Sequence, residues 1–183
     1  MKRARQLVVV LLLLGVVASA RKRDPLTEAE EDQIRNVAQE PYKRLKLYIK
    51  FTDARLQSID QLRADPKQAE GRGRKIHDLL EDFTALLDEI NSNLDAYEDR
   101  PMTKDDRKDF HKGLKEVLTA CDNWDTRLKA LKSAAETDPG TIKESQDYKF
   151  VLQDAEDSLK SAADAAREYS EIQPADDKPA KKK

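Results

Sequence analysis

The residues of this 183-residue chain that could do chemistry are two histidines, one cysteine and a short cationic cluster rich in glycine. A dinuclear iron or manganese centre in a helical bundle needs two Glu-x-x-His pairs, but Arg74 precedes His77 by three residues and Lys108 precedes His111 by three. A single metal ion at His77 could take Glu81, one helical turn farther on, as its second ligand. Because two ligands on a solvated surface make a weak site, the sequence predicts no metal centre.

Haem binding and nucleophilic catalysis also lack their residues. Covalent haem attachment needs Cys-x-x-Cys-His, which a chain with one cysteine cannot supply. A non-covalent haem needs an inward histidine opposed by histidine or methionine, and both histidines fall beside the apolar stripes described below. Cys121 and His111 are separated by nearly three turns of one expected helix, so they cannot form a nucleophile and base pair. The sequence predicts no catalytic residue and no cofactor.

The cationic cluster is Gly71-Arg72-Gly73-Arg74-Lys75. It lacks the Gly-Lys-Ser/Thr ending and the preceding strand of a phosphate-binding loop. We interpret it as a flexible, cationic entrance to a helix.

The elements that would position these residues are long helices. Between positions 110 and 135 apolar residues recur at alternating steps of four and three: Phe110, Leu114, Val117, Cys121, Trp124, Leu128, Leu131 and Ala135. This spacing keeps a narrow stripe on one side of a helix, which packs against another helix. On that stripe Cys121 behaves as a small apolar group. The alternatives are an intermolecular disulfide or a reactive thiol in an oxidising compartment.

Capping residues and prolines divide the chain into four helices. Start signals are Thr27 with Glu30, Thr103 with Asp106, Thr141 with Glu144, and Asp65 with Pro66. Prolines 66, 101, 139 and 174 mark the ends. Helices at about 27–64, 67–98, 104–136 and 142–172, joined by short links, predict an all-α fold: an antiparallel four-helix bundle of coiled-coil-like helical hairpins. The fourth helix is rich in alanine, buries little area, and is expected to be the least firmly held.

The first helix carries two unusual features. Leu45, Leu47, Ile49 and Phe51 alternate with polar or cationic residues as in a strand, but no second strand is present to pair with them, so a helix is favoured. Pro41 lies inside this helix and predicts a kink or a break near Glu40.

Leu47, Phe51 and Phe150 lie off the main stripes of their helices. One interpretation is a broad core face with one exposed aromatic residue. The other is a second apolar strip that contacts a partner protein or another copy of the chain. These three residues are the candidate contact residues.

The N-terminus has the pattern of an export signal. Lys2, Arg3 and Arg5 precede an apolar run at 7–17, and Ala18 and Ala20 stand at positions −3 and −1 of a cleavage site. The run is shorter than the roughly 20 apolar residues that cross a bilayer. We expect cleavage after Ala20, a linker at 21–26, no stable membrane insertion once the signal is removed, and a periplasmic or extracellular location. The cationic triplet at 21–23 resists translocation, so an uncleaved anchor is the alternative.

The charge balance argues against nucleic-acid binding. Without the three cations of residues 1–20, the 34 basic and 36 acidic residues become 31 and 36, a formal charge of −5. A basic footprint is therefore missing. Residues 173–183 consist mainly of Pro, Ala, Asp and Lys and are expected to form a disordered, lysine-rich tail.

A resemblance supports the fold and the location. The segment 26–56 resembles an uncharacterised group of exported bacterial helical proteins, with the residues Glu-Pro-Tyr-Lys-Arg-Leu-Lys-Leu-Tyr-Ile-Lys-Phe at 40–51. This resemblance implies a helical fold and export, but no activity. The small helical stress chaperones of the bacterial periplasm carry Leu-Thr-x-x-Gln motifs, and Leu26-Thr27-Glu28-Ala29-Glu30 departs from that motif at its last position.

Two functions follow as expectations. The first is a non-enzymatic exported bundle that acts through protein–protein contact, as a scaffold, an adaptor or a chaperone-like protein, with an unknown protein partner or by self-association. The alternative is a bundle that holds a small apolar ligand or haem between its helices.

Overall fold

The computed structural model describes residues 23–98 and 103–171. Within these ranges lie six helices: α1 (Glu28–Asn36), α2 (Pro41–Ala64), α3 (Arg72–Glu98), α4 (Lys104–Thr137), α5 (Pro139–Ser145) and α6 (Lys149–Glu171). A 3-10 turn, Pro66–Gln68, separates α2 from α3. No strand occurs in the described ranges, which confirms the all-α prediction. The expected signal, its cleavage residues Ala18 and Ala20, and the expected tail at 173–183 lie outside the described residues.

The four long helices form a bundle in which α2 and α6 each pack against both α3 and α4. Arg44 donates to Asn93 and the Arg55 guanidinium approaches Asp82, so α2 and α3 run antiparallel. The pair α4 and α6 is also antiparallel, since Lys132 binds Glu156 near one end while two aromatic rings meet near the other. The hairpin of α2 and α3 lies beside the pair of α4 and α6, and α2 runs parallel to α4. Because α3 packs against α2 and α6, it lies diagonally opposite α4. None of the described helices combines the length and apolar character needed to cross a bilayer.

The core lies along the stripes that the spacing predicts. Seven of the eight stripe residues of α4 are buried, and Ala135 is partly buried against them. Phe83 of α3 and Trp124 of α4 meet on the diagonal at the centre, with ring centroids 5.8 Å apart in an edge-to-face arrangement. Burial of each large side chain of this kind stabilises the fold by about 1.5–3 kcal/mol.

The region around Pro41 contains a break in the first predicted helix. The helix α1 ends at Asn36, and Pro41 is the first residue of α2, with Glu40 at the N-cap. Proline lacks the N–H that a helix interior needs, but the first turn leaves that N–H unpaired in any case. The predicted helix 27–64 is therefore two helices, and the predicted break near Glu40 is confirmed.

The capping predictions divide into two that are right and two that are wrong. Thr27 with Glu30 and Thr103 with Asp106 form complete capping boxes. Asp65, by contrast, caps only the 3-10 turn, and α3 begins after Gly71, whose φ of +65° a residue with a side chain rarely adopts.

The predicted start at Thr141 is also wrong. Asp138 is the N-cap of α5, with Pro139 as the first helical residue, and Thr141 donates its hydroxyl hydrogen to Asp138. The Glu144 carboxylate, free of the capping role, accepts a hydrogen bond from Arg72 at 2.8 Å instead. The short helix then ends at Ser145, so the predicted helix 142–172 is divided into α5 and α6.

Candidate functional site

The three candidate contact residues have three different environments. Phe51 is 3% exposed and belongs to the core. Leu47 is partly buried and packs against the core. Phe150 is 75% exposed. The burial of Phe51 removes it as a contact residue and fits a broad core face with one exposed aromatic residue. A contact role for Leu47 or Phe150 stays a prediction.

The flank of α2 is covered by residues 23–36, here called the N-terminal strap. Arg55 of α2 donates to both carboxylate oxygens of Glu30, at 2.9 and 2.6 Å, and to the Pro25 carbonyl at 2.6 Å. Phe51 lies one helical turn before Arg55 on α2, and Ile34 of α1 packs against the core. The strap thus covers the flank of α2 that the sequence pattern leaves apolar.

A second cation ties the strap to α3. Arg23 donates to the Asp82 carboxylate at 2.6 Å and to the Asp78 carbonyl at 3.0 Å. Arg55 Nε lies 3.7 Å from the same Asp82 oxygen. Glu30, Arg55, Asp82 and Arg23 therefore form a chain of alternating charges across α1, α2 and α3.

Burial and pairing act on these carboxyls in opposite directions. Burial raises the pKa of Asp82 above its ordinary value, and the hydrogen bond from Arg23 offsets only part of that effect. Burial alone would raise the pKa of Glu30 as well, but hydrogen bonds from Arg55 and from the Thr27 backbone lower it overall. The hydrogen bond to Glu30 raises the pKa of Arg55, so this arginine, though buried, keeps its charge.

A groove of about 760 Å³ lies between the strap, α2 and α3. Its lining combines apolar residues such as Leu62 and Leu79 with groups of both charges, among them Lys75 and Asp65. The lining residues include neither histidine nor cysteine, so the groove offers no imidazole base and no thiol nucleophile.

His77, Asp78 and Glu81 form a cluster beside this groove on the surface of α3. The Nδ1 atom of His77 lies 3.4 Å from Asp78 Oδ1 and 3.8 Å from Glu81 Oε2. The sequence pattern singles out His77 with Glu81 and misses Asp78, because adjacent residues on a helix do not normally face each other. The sequence signal that could have found Asp78 is the spacing i, i+1, i+4, because Glu81 lies about one helical turn from both His77 and Asp78.

The start of α6 carries an exposed apolar surface, here called the α5–α6 patch and defined by Ile142, Lys149 and Phe150. Ile142 is 43% exposed, and the Lys149 ammonium lies 4.9 Å from the centre of the Phe150 ring. Ile142 and Lys149 also line a groove of about 340 Å³ between α4, α5 and α6. This patch combines an aromatic ring, a cation and an adjoining groove.

The remaining residues considered for chemistry are apart from one another. Burial raises the pKa of the Cys121 thiol to about 12, which fits a structural role. His111 lies beside Phe110, near the start of α4 and ten residues before Cys121. At the entrance of α3, Arg72 is paired with Glu144, 2.7 Å away. The hypothesis of a small apolar ligand or haem between the helices stays a prediction, and the central positions that such a ligand would occupy are filled by side chains such as Phe83 and Trp124.

Comparison with known proteins finds no match. No protein-family model, no curated protein and no solved structure matches it. The resemblance of the segment 26–56 to exported bacterial helical proteins therefore stays a prediction.

Proposed function

We propose that this protein is an exported, non-enzymatic helical bundle that acts by protein–protein contact, and that the α5–α6 patch is its contact surface. The observation that carries the proposal is Phe150, an aromatic side chain that is 75% exposed. Every other apolar side chain of α6 is buried or partly buried. The exposure of this one residue therefore sets the start of α6 apart from the rest of the helix.

The patch has the composition of a protein contact more than of a small-molecule site. Aromatic residues are enriched at the centres of interfaces, where burial of a phenylalanine contributes about 1.5–3 kcal/mol. Isolated exposed apolar residues are common, but here Lys149, whose ammonium lies over the Phe150 ring, also lines the groove that carries Ile142. A partner that presents an apolar side chain next to a carboxylate would satisfy the ring, the groove and the ammonium together.

Two features of the chain support the remaining parts of the proposal. The pattern at residues 1–20 is that of an export signal. A non-enzymatic role is supported by the separation of His111 from Cys121 along α4 and by the burial of the thiol, which keeps it protonated at neutral pH.

Crosslinking in the native host tests the contact surface. Lysine-directed crosslinking followed by mass spectrometry is expected to join Lys149 or Lys143 to a partner protein, and Phe150→Glu is expected to abolish that product. The matched control is Ser161→Glu, which places the same charge on an exposed position of α6. Eleven residues separate the two positions, so they lie on the same side of the helix, about 16 Å apart.

The outcomes separate the parts of the proposal. Crosslinks lost in Phe150→Glu and kept in Ser161→Glu support the patch, and a product of twice the chain mass identifies a second copy as the partner. Crosslinks that survive Phe150→Glu contradict the patch. Export is tested by the N-terminal mass: an exported chain that begins at Arg21 supports it, and an intact chain in the cytoplasm contradicts it.

A further inference from the structure

We propose that His77, Asp78 and Glu81 bind one divalent transition-metal ion, Zn²⁺ in the first instance, on the surface of α3. One donor atom from each of the three residues lies within 4.8 Å of the other two. The set of one imidazole nitrogen and two carboxylate oxygens suits zinc. The inference goes beyond the proposed function and does not depend on it.

The distances between the donor atoms fit a single ion. Zinc binds imidazole nitrogen and carboxylate oxygen at about 2.0–2.2 Å in a tetrahedron, so two ligand atoms on the same ion lie about 3.4 Å apart. His77 Nδ1 lies 3.4 Å from Asp78 Oδ1 and 3.8 Å from Glu81 Oε2. The two His77 distances therefore fit one ion. The Asp78 and Glu81 oxygens lie within 4.8 Å of each other, so the carboxylates need to approach to about 3.4 Å when they bind it, with the fourth corner open to water.

His77 Nδ1 also needs a partner. This atom is shielded from solvent and has no hydrogen-bond partner among the described residues. The imidazole as a whole remains 36% exposed, which leaves a path for an ion to enter. A buried nitrogen without a partner points to an ion or a water molecule between it and the carboxylates. A bound metal satisfies it directly.

The spacing on α3 and the residues behind the cluster hold the donors in place. Glu81 lies one turn from both His77 and Asp78, so the three side chains form a triangle on the helix surface. Arg23 accounts for the other side of Asp78: its Nη2 donates to the Asp78 carbonyl at 3.0 Å, and its Nη1 lies 3.8 Å from Asp78 Oδ2. Such outer contacts orient a ligating carboxylate. The charge of Arg23 is balanced by Asp82 at 2.6 Å, which reduces its repulsion of a cation.

Calorimetric titration of the purified protein with Zn²⁺ tests the site. Wild type is expected to bind one ion per chain. His77→Ala and Glu81→Gln are each expected to weaken the affinity at least tenfold, since even the loss of a residue that only orients a ligand costs about 10–100-fold. The matched control is His111→Ala, which removes the other histidine of the chain, on α4, and is expected to bind Zn²⁺ as wild type does.

Nuclear magnetic resonance of the imidazoles gives a second measurement. Zn²⁺ is expected to shift the ring nitrogen signals of His77 and to leave those of His111 in place. A wild-type protein that binds no Zn²⁺ overturns the proposal, as does binding that survives His77→Ala unchanged. In either case the three residues are a surface cluster that holds no metal ion. Phe150→Glu is expected to bind Zn²⁺ normally, so failure of the contact surface and failure of the metal site are distinguishable.

Discussion

At the scale of the residue, Phe51 and Phe150 show how a folded chain distinguishes two phenylalanines that share one sequence pattern. Both lie off the main stripe of their helix. Phe51 is 3% exposed and Phe150 is 75% exposed. The strap binds Arg55, one helical turn from Phe51 on the flank of α2, whereas the Phe150 ring at the start of α6 stays largely open to solvent.

Replacement of each phenylalanine by alanine is expected to separate these roles. Phe51→Ala removes a buried ring and leaves a cavity, so the free energy of unfolding is expected to fall by about 3–5 kcal/mol. The matched control, Phe150→Ala, is expected to change it by less than about 0.5 kcal/mol, because the site is exposed. Urea denaturation followed by circular dichroism measures both values. Equal losses in the two variants would contradict the assignment of Phe51 to the core.

Single residues also show where sequence patterns stop being informative. The spacing of α4 predicts its buried stripe because a long helix in water has few ways to hide eight apolar residues. The pairing of Asp78 with His77 follows no such rule, since it depends on the rotamers that Arg23 and the strap impose. The sequence pattern therefore singles out only His77 with Glu81 and predicts no metal centre, whereas the structure brings Asp78 within 3.4 Å of His77 as a third donor residue.

At the scale of the element, a capping residue predicts the start of a helix where no second capping residue competes with it nearby. Thr27 and Thr103 form their boxes because no stronger start lies nearby. Thr141 fails because Asp138-Pro139, three residues earlier, starts the helix first. The short helix that results brings Glu144 close to α3, where Gly73 makes room: a Cβ atom there would lie 2.7 Å from the Glu144 carbonyl. This contact joins elements distant in the chain, and no local signal predicts it.

The strap is expected to carry an acid-sensitive part of the stability. Folding lowers the pKa of Glu30 from its ordinary value of 4.5, so its contribution is complete above that value and is lost as the pH falls through the lower, folded pKa. Asp82 has the opposite sign: its pKa is raised, so its charged form costs stability at neutral pH and protonation relieves that cost. The loss of stability between about pH 5 and pH 3 is therefore expected to be smaller in Glu30→Gln and larger in Asp82→Asn.

Urea unfolding at several pH values in this range checks both signs. Because Arg55 links Glu30 to Asp82, the double variant is measured as well, so that their coupling is separated from their single effects. Arg55→Ala provides a reference, since it leaves the partly buried Glu30 carboxylate without its cation and is expected to lower the free energy of unfolding at neutral pH. Parallel curves for wild type and Glu30→Gln would show that Glu30 does not contribute to the acid sensitivity.

At the scale of the whole molecule, the sequence predicts that four long helices bury their stripes in one bundle, because each helix has an apolar side that must leave water. The apolar stripes do not determine which helices become neighbours, because packing any two stripes together removes apolar surface from water. The parallel contact of α2 with α4 and the diagonal position of α3 and α4 depend on side-chain shape at the centre, where Phe83 meets Trp124.

For helix α6, composition and packing point in different directions. Its alanines bury little area one by one, which suggests a loosely held helix. In the fold Ala155, Ala162 and Ala166 are fully buried, and α6 packs along both α3 and α4. Small side chains let the helix backbones approach closely, so the contact of α6 is extensive although each residue contributes little.

Ala162→Leu tests whether α6 is tightly packed against α3 and α4 or leaves free space beside them. If α6 is tightly packed, the extra methyl and methylene groups force the helix away from its neighbours, and the free energy of unfolding falls by about 1–3 kcal/mol. The control is Ala130→Leu on the exposed side of α4, which is expected to be nearly neutral because alanine and leucine have similar helix propensities. Urea denaturation at neutral pH compares the two. A more stable Ala162→Leu would mean that leucine fills space beside α6, and that the helix is held as loosely as its composition suggests.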